Sequence, residues 1–248
     1  MTPSGQTRTD PPVVAIDGPS GAGKSTVARA LAKRLGVPYI DTGAMYRALG
    51  LAVRDRGVTL PISGPAAVRA VEAVADQVRI DLDLDLAPGE TRVRLDGRDV
   101  SAEIRLPEIS LYASAVSAIP AVRPRLVAAQ RRLATLRGGV LEGRDIGTHV
   151  FPDTPHKFFL TAPVEVRAER RARELALRGT PQPADVVRAE IESRDRADST
   201  RADSPLTLDE RYVVVDTGRR SVDEVVEELE SRIRTGRPGR QGGARSAT

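Results

Sequence analysis

The chain has 248 residues, 40% hydrophobic and 29% charged, enough to bury one sizeable core, or one core with a small inserted lobe. Its formal net charge is +4 and it has no cysteine, which excludes disulfides and thiolate chemistry. No stretch approaches the ~20 apolar residues of a membrane-spanning helix, so no membrane partner is expected.

The start, Met1 to Pro12, is polar and lacks the apolar centre of a signal peptide, so the expected compartment is the cytoplasm. Residues 1–11 read as a disordered tail. Val13-Val-Ala-Ile16 is a short apolar run ended by Asp-Gly-Pro, which predicts a buried strand entering a loop. From Ser25 to Leu35, apolar Val27, Ala28, Leu31, Ala32 and Leu35 recur at helical spacing, and Gly36 closes the segment. Tyr39-Ile40 predicts a second short strand, followed by a helix through Met45, Leu49 and Val53.

After Val78 the period changes. Ile80, Leu82, Leu84 and Leu86 alternate with Asp81, Asp83 and Asp85, the pattern of a strand with one face in water. Val93 and Leu95 repeat it, and Asp96-Gly97 supplies a hairpin turn before Val100. Residues 60–112 are therefore expected to form a small inserted antiparallel α+β lobe. Helical spacing then runs from Ile119 to Leu136, with strands predicted at Val140-Leu141 and Phe158-Phe159-Leu160. Two charged helices follow, near 164–178 and 184–197. A last strand, Tyr212 to Val215, precedes a helix opened by the capping box Ser221-Val-Asp-Glu224. Strands alternating with helices predict an α/β fold around a parallel sheet covered on both faces. The Gly/Arg-rich end, 236–248, reads as a second disordered tail.

The chemistry starts at Gly18-Pro-Ser-Gly-Ala-Gly-Lys-Ser25, which meets G-x-x-x-x-G-K-[ST] at every fixed position, with a strand before it and a helix after it. Such glycines let backbone N–H groups converge on phosphate oxygens at a helix N-terminus. Gly18, Pro19, Ser20, Gly21, Ala22, Gly23, Lys24, Ser25 and Thr26 are thus the candidate ATP cradle. Lys24 would reach the β/γ-phosphates and Ser25 would coordinate Mg²⁺. Guanine-specific phosphate-loop proteins need an Asn-Lys-x-Asp signature, and this chain has no asparagine. No apolar run ending in Asp-Glu marks a motor-type ATPase. A compact small-molecule kinase remains. The basic balance invites a nucleic-acid reading, but lysine occurs only at 24, 33 and 157 and arginine is scattered among acidic residues, so no nucleic-acid partner is expected.

Further motifs narrow the class. Ile16–Thr26, Asp41-Thr-Gly-Ala-Met-Tyr-Arg47, Asp99-Val-Ser-Ala-Glu-Ile-Arg105, Glu142-Gly-Arg-Asp-Ile-Gly147, Val150-Phe-Pro-Asp153, Arg194-Asp-Arg-Ala-Asp-Ser-Thr-Arg201, Ser204-Pro-Leu206 and Val215-Asp-Thr217 resemble, in order, the segments of bacterial cytidylate kinases. The resemblance covers residues 12–235. It implies a phosphate-loop nucleoside-monophosphate kinase fold: a central five-stranded parallel sheet flanked by helices, a core of 12–59 and 113–235, a nucleotide-binding lobe at 60–112 and a lid near 164–197. It implies ATP-dependent phosphorylation of CMP and dCMP, the alternative being another monophosphate such as UMP, AMP or dTMP; separately, the chain is expected to be a monomer.

Residue by residue, the resemblance puts Arg47 and Arg144 on the monophosphate, and Ser114, Arg123 and Asp145 towards cytosine. Arg194, Asp198 and Arg201 fall near sugar and phosphates, while Asp41, Thr42 and Tyr46 shape the pocket floor. The acceptor phosphate is anionic at neutral pH and needs no general base, so His149 and His156 read as loop or surface residues. What the reaction needs is fixed positive charge in a dry site. Arg170 and Arg171 are expected to be catalytic lid arginines alongside Lys24 and Arg144. Arg167 and Arg173 read instead as members of a salt-bridged helix with pairs Glu169–Arg173, Arg170–Glu174 and Glu174–Arg178. Two departures from the family pattern are Ala197, where some relatives have arginine, and His149, where an aliphatic residue is usual.

Overall fold

The computed structural model describes residues 11–84, 91–135 and 137–235. Both expected tails (but for residue 11), the Asp85 and Leu86 end of the alternating run, and Leu136 lie outside the described residues.

Five parallel strands form the central sheet: β1 (Val13–Asp17), β2 (Tyr39–Asp41), β6 (Gly139–Glu142), β7 (His156–Thr161) and β8 (Val213–Asp216), in the order β2-β6-β1-β7-β8. Alternation along each strand sends side chains to two opposite cores. Val14, Ile16, Val140, Phe158, Leu160 and Val215 pack on helices α1 (Lys24–Leu35) and α8 (Val222–Thr235). Ala15, Ile40 and Leu141 face the other way, onto α2 (Thr42–Asp55) and α5 (Arg123–Thr135). Gly36, left-handed at φ 67°, ends α1. The capping box forms as written: the Glu224 carboxylate accepts from Ser221 N, and Ser221 Oγ accepts from Glu224 N.

The antiparallel sheet is also present: β3 (Ile80–Asp83), β4 (Arg92–Leu95) and β5 (Arg98–Asp99), with Asp96 and Gly97 both at positive φ in the hairpin. It is joined by α3 (Gly64–Gln77), whose Val68, Val71, Val74 and Ala75 recur at helical spacing, and by α4 (Pro107–Ser117), whose apolar residues show little sidedness. The expected 112/113 boundary falls inside α4, which packs along α2. Val71, Leu82, Val93 and Leu95 share one continuous cluster with Ile40, Leu49 and Leu141, so the inserted segment has no core of its own. The helical spacing from Ile119 resolves into α5 only from Arg123, because Pro120 cannot continue a helix from α4.

Two further helices, α6 (Val164–Leu177) and α7 (Ala184–Thr200), pack against each other. They enclose a small cluster of their own, Ala168, Leu175, Val187 and Ile191. A π-helical turn, Ile146–Val150, follows β6; its amides at 146 and 147 are held by the buried Asp17 carboxylate at 2.9 Å each.

Candidate active site

The carboxyl ends of the parallel strands open into one cleft of about 590 Å³. β1 delivers the phosphate loop, β2 delivers Asp41, β6 delivers Glu142, Gly143 and Arg144, and β8 leads to Thr217. A second hollow of about 690 Å³, between α2, β3 and α5, is larger but offers an apolar floor with a rim where Arg125 already pairs with Asp76. The phosphate-binding groups all face the smaller cleft.

The loop's shape is dictated by contact. Gly18 has φ 144°, and a Cβ there would lie 2.0 Å from the Leu160 carbonyl oxygen, so the turn admits no side chain. Lys24 opens α1 and folds back to donate to Pro19 O at 2.6 Å. Burial, reinforced by Arg144, pushes its ammonium down to about 7, although Glu142 works the other way. Ser25 lies beside Glu142, whose carboxyl is raised by burial and by Asp41 while Lys24 and Ser25 work the other way. Tyr39 OH donates to the same carboxylate, and Thr42 Oγ1 donates to the Glu142 carbonyl at 2.6 Å.

Around this cradle stands a wall of arginines. Asp41 caps α2 through Ala44 N and holds Arg47, both at 2.8 Å. Arg144 donates Nε to Asp198 at 2.6 Å. Burial would raise the Asp198 carboxyl, but Arg144 and Arg194 together hold it below its ordinary value. Arg194 is pushed down to about 10 by burial and then by Arg144, against the pull of Asp198. The Nε atoms of Arg29, Arg47 and Arg194 are buried and make no hydrogen bond within the protein. Buried donors left over after the protein's own pairing mark a place shaped for an anion.

The lid arginines divide. Arg171 lines the cleft and pairs with Glu174 at 2.9 Å. Arg170 also lines it, but its guanidinium is spent on Thr217, at 3.0 Å to Oγ1 and 2.6 Å to the carbonyl, not on Glu174 as helix spacing suggested. The other two pairs form, Arg173 to Glu169 at 2.8 Å and Arg178 to Glu174 at 2.5 Å. Arg167 is not part of that charged surface: it is buried and bonds Ala162 O, Ser20 O and Asp195.

The residues expected to face the base lie behind Arg144 and off the cleft lining. Arg123 and Asp145 are buried and paired with each other. Arg123 keeps Nε and Nη1 without a hydrogen-bond partner, since Asp203 is 3.6 Å from Nε. Its guanidinium lies 5.9 Å from the Tyr46 ring, whose hydroxyl burial pushes up to about 12. Arg201 bonds Ser204 O at 2.7 Å and leaves Nη2 3.7 Å from Asp145. Ser114 sits on α4 one turn beyond Ser110, which lines the cleft. His149 is exposed in the π-turn; His156 opens β7, half-buried, its imidazole held down by burial.

Sequence reasoning singled out neither Glu142 nor Arg29, Arg105 and Arg178, all of which line the cleft. Glu142 and Arg105 each terminate a quoted motif, so a signal existed. Arg29 and Arg178 are ordinary helix arginines by sequence, and only the fold turns them inward.

A family model described as cytidylate kinase matches residues 14–235. The chain is 48% identical over 230 residues to a cytidylate kinase of Pelotomaculum thermopropionicum, covering 91% of this chain and 97% of the relative. It is 50% identical over 221 residues to that of Caldanaerobacter subterraneus subsp. tengcongensis, covering 89% and 94%. It is 49% identical over 218 residues to that of Mycobacterium leprae, covering 88% and 93%.

Proposed function

This chain belongs to the cytidylate kinase family, and from that premise we propose how its cleft moves a phosphoryl group. It is a kinase that transfers the terminal phosphate of ATP to CMP or dCMP. An acceptor phosphate oxygen attacks the γ-phosphorus while the bond to the ADP oxygen breaks. The attacking oxygen is already anionic, so the protein's task is charge and position.

The loop Gly18–Thr26 cradles the donor phosphates, with Lys24 at the bridging oxygens. Arg47 and Arg144 hold the acceptor phosphate, and Arg194 faces the charge that develops between donor and acceptor. The observation that carries this reading is the set of buried, unpartnered guanidinium Nε groups of Arg29, Arg47 and Arg194 beside the phosphate loop. Arginine suits the role because it stays charged and forks around phosphate oxygens. Arg171 and Arg170 reach the donor phosphates as the lid of 164–197 closes, Arg170 by exchanging its bonds to Thr217. Ser25, beside the Glu142 carboxylate, offers the hard oxygen chemistry that would hold Mg²⁺, which when bound would neutralise negative charge on the donor phosphates. Asp198 and Arg201 border the sugar.

The acceptor side is the lobe of 60–112 together with Asp41, Thr42 and Tyr46. Ser114, Arg123 and Asp145 read the base. The free Nε and Nη1 of Arg123 can donate to cytosine N3 and O2, and Asp145 can accept from its amino group. Uracil carries N3–H and O4 in those places and would leave buried groups unpaired. Outside the cleft, arginines pair with neighbouring carboxylates, as Arg34 does with Glu230 and Arg188 with Glu192. That supports small nucleotides, not nucleic acid, as partners in the cytoplasm.

A coupled assay with ATP and Mg²⁺ against each monophosphate in turn tests this reading. CMP and dCMP are expected to react well and UMP about 100-fold less efficiently. Equal efficiency for UMP and CMP would reject the base-reading residues; no CDP from CMP would reject the activity itself.

A further inference from the structure

Ser20 of the phosphate loop is held by both lid helices, one bond to each of its two flanking peptide groups. Its N–H donates to Asp195 Oδ1 on α7 at 2.9 Å, and its carbonyl accepts from Arg167 Nη1 on α6, also at 2.9 Å. The two side chains bond each other, and Arg167 Nε is anchored on Ala162 O at 3.0 Å. Gly21, next along the loop, has φ 75°, and a Cβ there would come within 3.0 Å of Arg167 Cβ and its carbonyl oxygen, so α6 lies directly on the loop. Both side chains are largely withdrawn from water, where a charge-assisted bond is strong and directional.

We propose that Arg167 and Asp195 are positioning residues that set the orientation of the two peptide groups flanking Ser20 before ATP arrives. They touch no reacting atom. A free glycine-rich loop can rotate either peptide and turn a carbonyl, rather than an amide, towards the phosphates. With Ser20 N–H tied to Asp195 and Ser20 C=O tied to Arg167, rotating the Pro19–Ser20 peptide would break the first bond and rotating the Ser20–Gly21 peptide the second. The inner ends of the lid helices thereby become part of the cradle, and their effect falls on the donor nucleotide, not on the acceptor. The idea rests on the phosphate loop being the ATP site.

Asp195→Ala removes the acceptor for Ser20 N–H and the partner of Arg167 together. It is expected to weaken ADP binding in calorimetry, and to raise the KM for ATP, by about ten-fold, the scale of one lost charge-assisted bond. The KM for CMP should stay within about two-fold. Hydrogen exchange of the peptide spanning 18–23 in nucleotide-free protein should speed up. Asp195→Asn keeps one acceptor for Ser20 N–H and should fall between the two; it also serves if the alanine variant fails to fold. A folded variant with unchanged ADP affinity and unchanged loop exchange would overturn the proposal, and so would parallel losses for ATP and CMP. If wild-type protein bound ADP but made no CDP, the activity reading would fail while this test stood.

Discussion

The two halves of the cleft are built in opposite ways. Around Lys24, strand, loop and helix are contiguous in the chain, and side chains already brace the loop: Lys24 on Pro19, and Thr217 Oγ1 donating to Ala22 O at 3.0 Å. The arginine wall is gathered from α1, α2, the turn at 105, the end of β6, α6 and α7, and it keeps buried donors unpaired. A cradle braced in this way holds its shape without ligand and keeps its backbone amides for phosphate. The wall, by contrast, completes its bonding only when phosphate oxygens enter. The first region is a fixed template and the second a latent charge, so mutations in the two should fail differently.

The largest effect should come from Lys24→Met. Turnover is expected to fall about 1,000-fold, the scale of removing a preorganised cation at the developing charge. Stability should move the other way. The Lys24 ammonium sits at about 7 in the folded protein against an ordinary 10.5, so between those values the unfolded chain binds the extra proton. Lys24 therefore opposes folding at neutral pH, and the penalty fades as pH rises towards 10.5. Nucleotide-free Lys24→Met should melt higher than wild type at pH 7, by roughly 2–4 °C for each kcal/mol relieved. The gap should close near pH 10; a gap independent of pH would mean the ammonium is not desolvated.

On the wall, Arg144→Ala should lower kcat/KM for CMP about 100-fold and also destabilise the fold, because Asp198 loses its 2.6 Å partner while buried. Arg144→Lys should rescue little of the activity, since a point charge cannot hold Asp198 and phosphate at once. Arg171→Ala sharpens the contrast further down the scale. Its partner Glu174 is partly exposed, so stability should change by no more than about 0.5 kcal/mol. Turnover should fall about ten-fold if the lid arginine meets the donor phosphates. Unchanged turnover would remove Arg171 from the mechanism.

The same contrast explains what could be read from sequence. The sheet strands, the phosphate loop, the hairpin at Asp96-Gly97 and the Ser221 cap are local devices, each written in a few adjacent residues. α3 carries a legible stripe, Val68, Val71 and Val74, within the inserted lobe, whereas α4 shows little sidedness and takes its burial from α2. The π-turn at 146–150 depends on Asp17, 129 residues away from Ile146. Arg29, Arg178 and the Arg167–Asp195 brace could not be told from other helix charges, since nothing near them in the chain distinguishes a buried arginine from a solvated one. Motif spacing reached Arg47, Arg144 and Arg194 through family resemblance, not through physics that a single sequence displays.

The smallest expected effect lies where the two regimes touch. Ser221 caps α8 and its segment also borders the donor end of the cleft beside Thr217 and Arg220. As a local device its worth is that of a capping box, so Ser221→Ala should cost about 1 kcal/mol, a fall in melting temperature of roughly 2–4 °C. Glu224 would lose both of its links to the Ser221 hydroxyl while keeping the bond from Ser221 N, which limits the damage to the first turn. Because the cradle does not depend on that hydroxyl, the KM for ATP should shift by less than about two-fold. A large rise in KM with little change in melting temperature would show that the cap reads the donor nucleotide directly, and would move Ser221 from scaffold to wall.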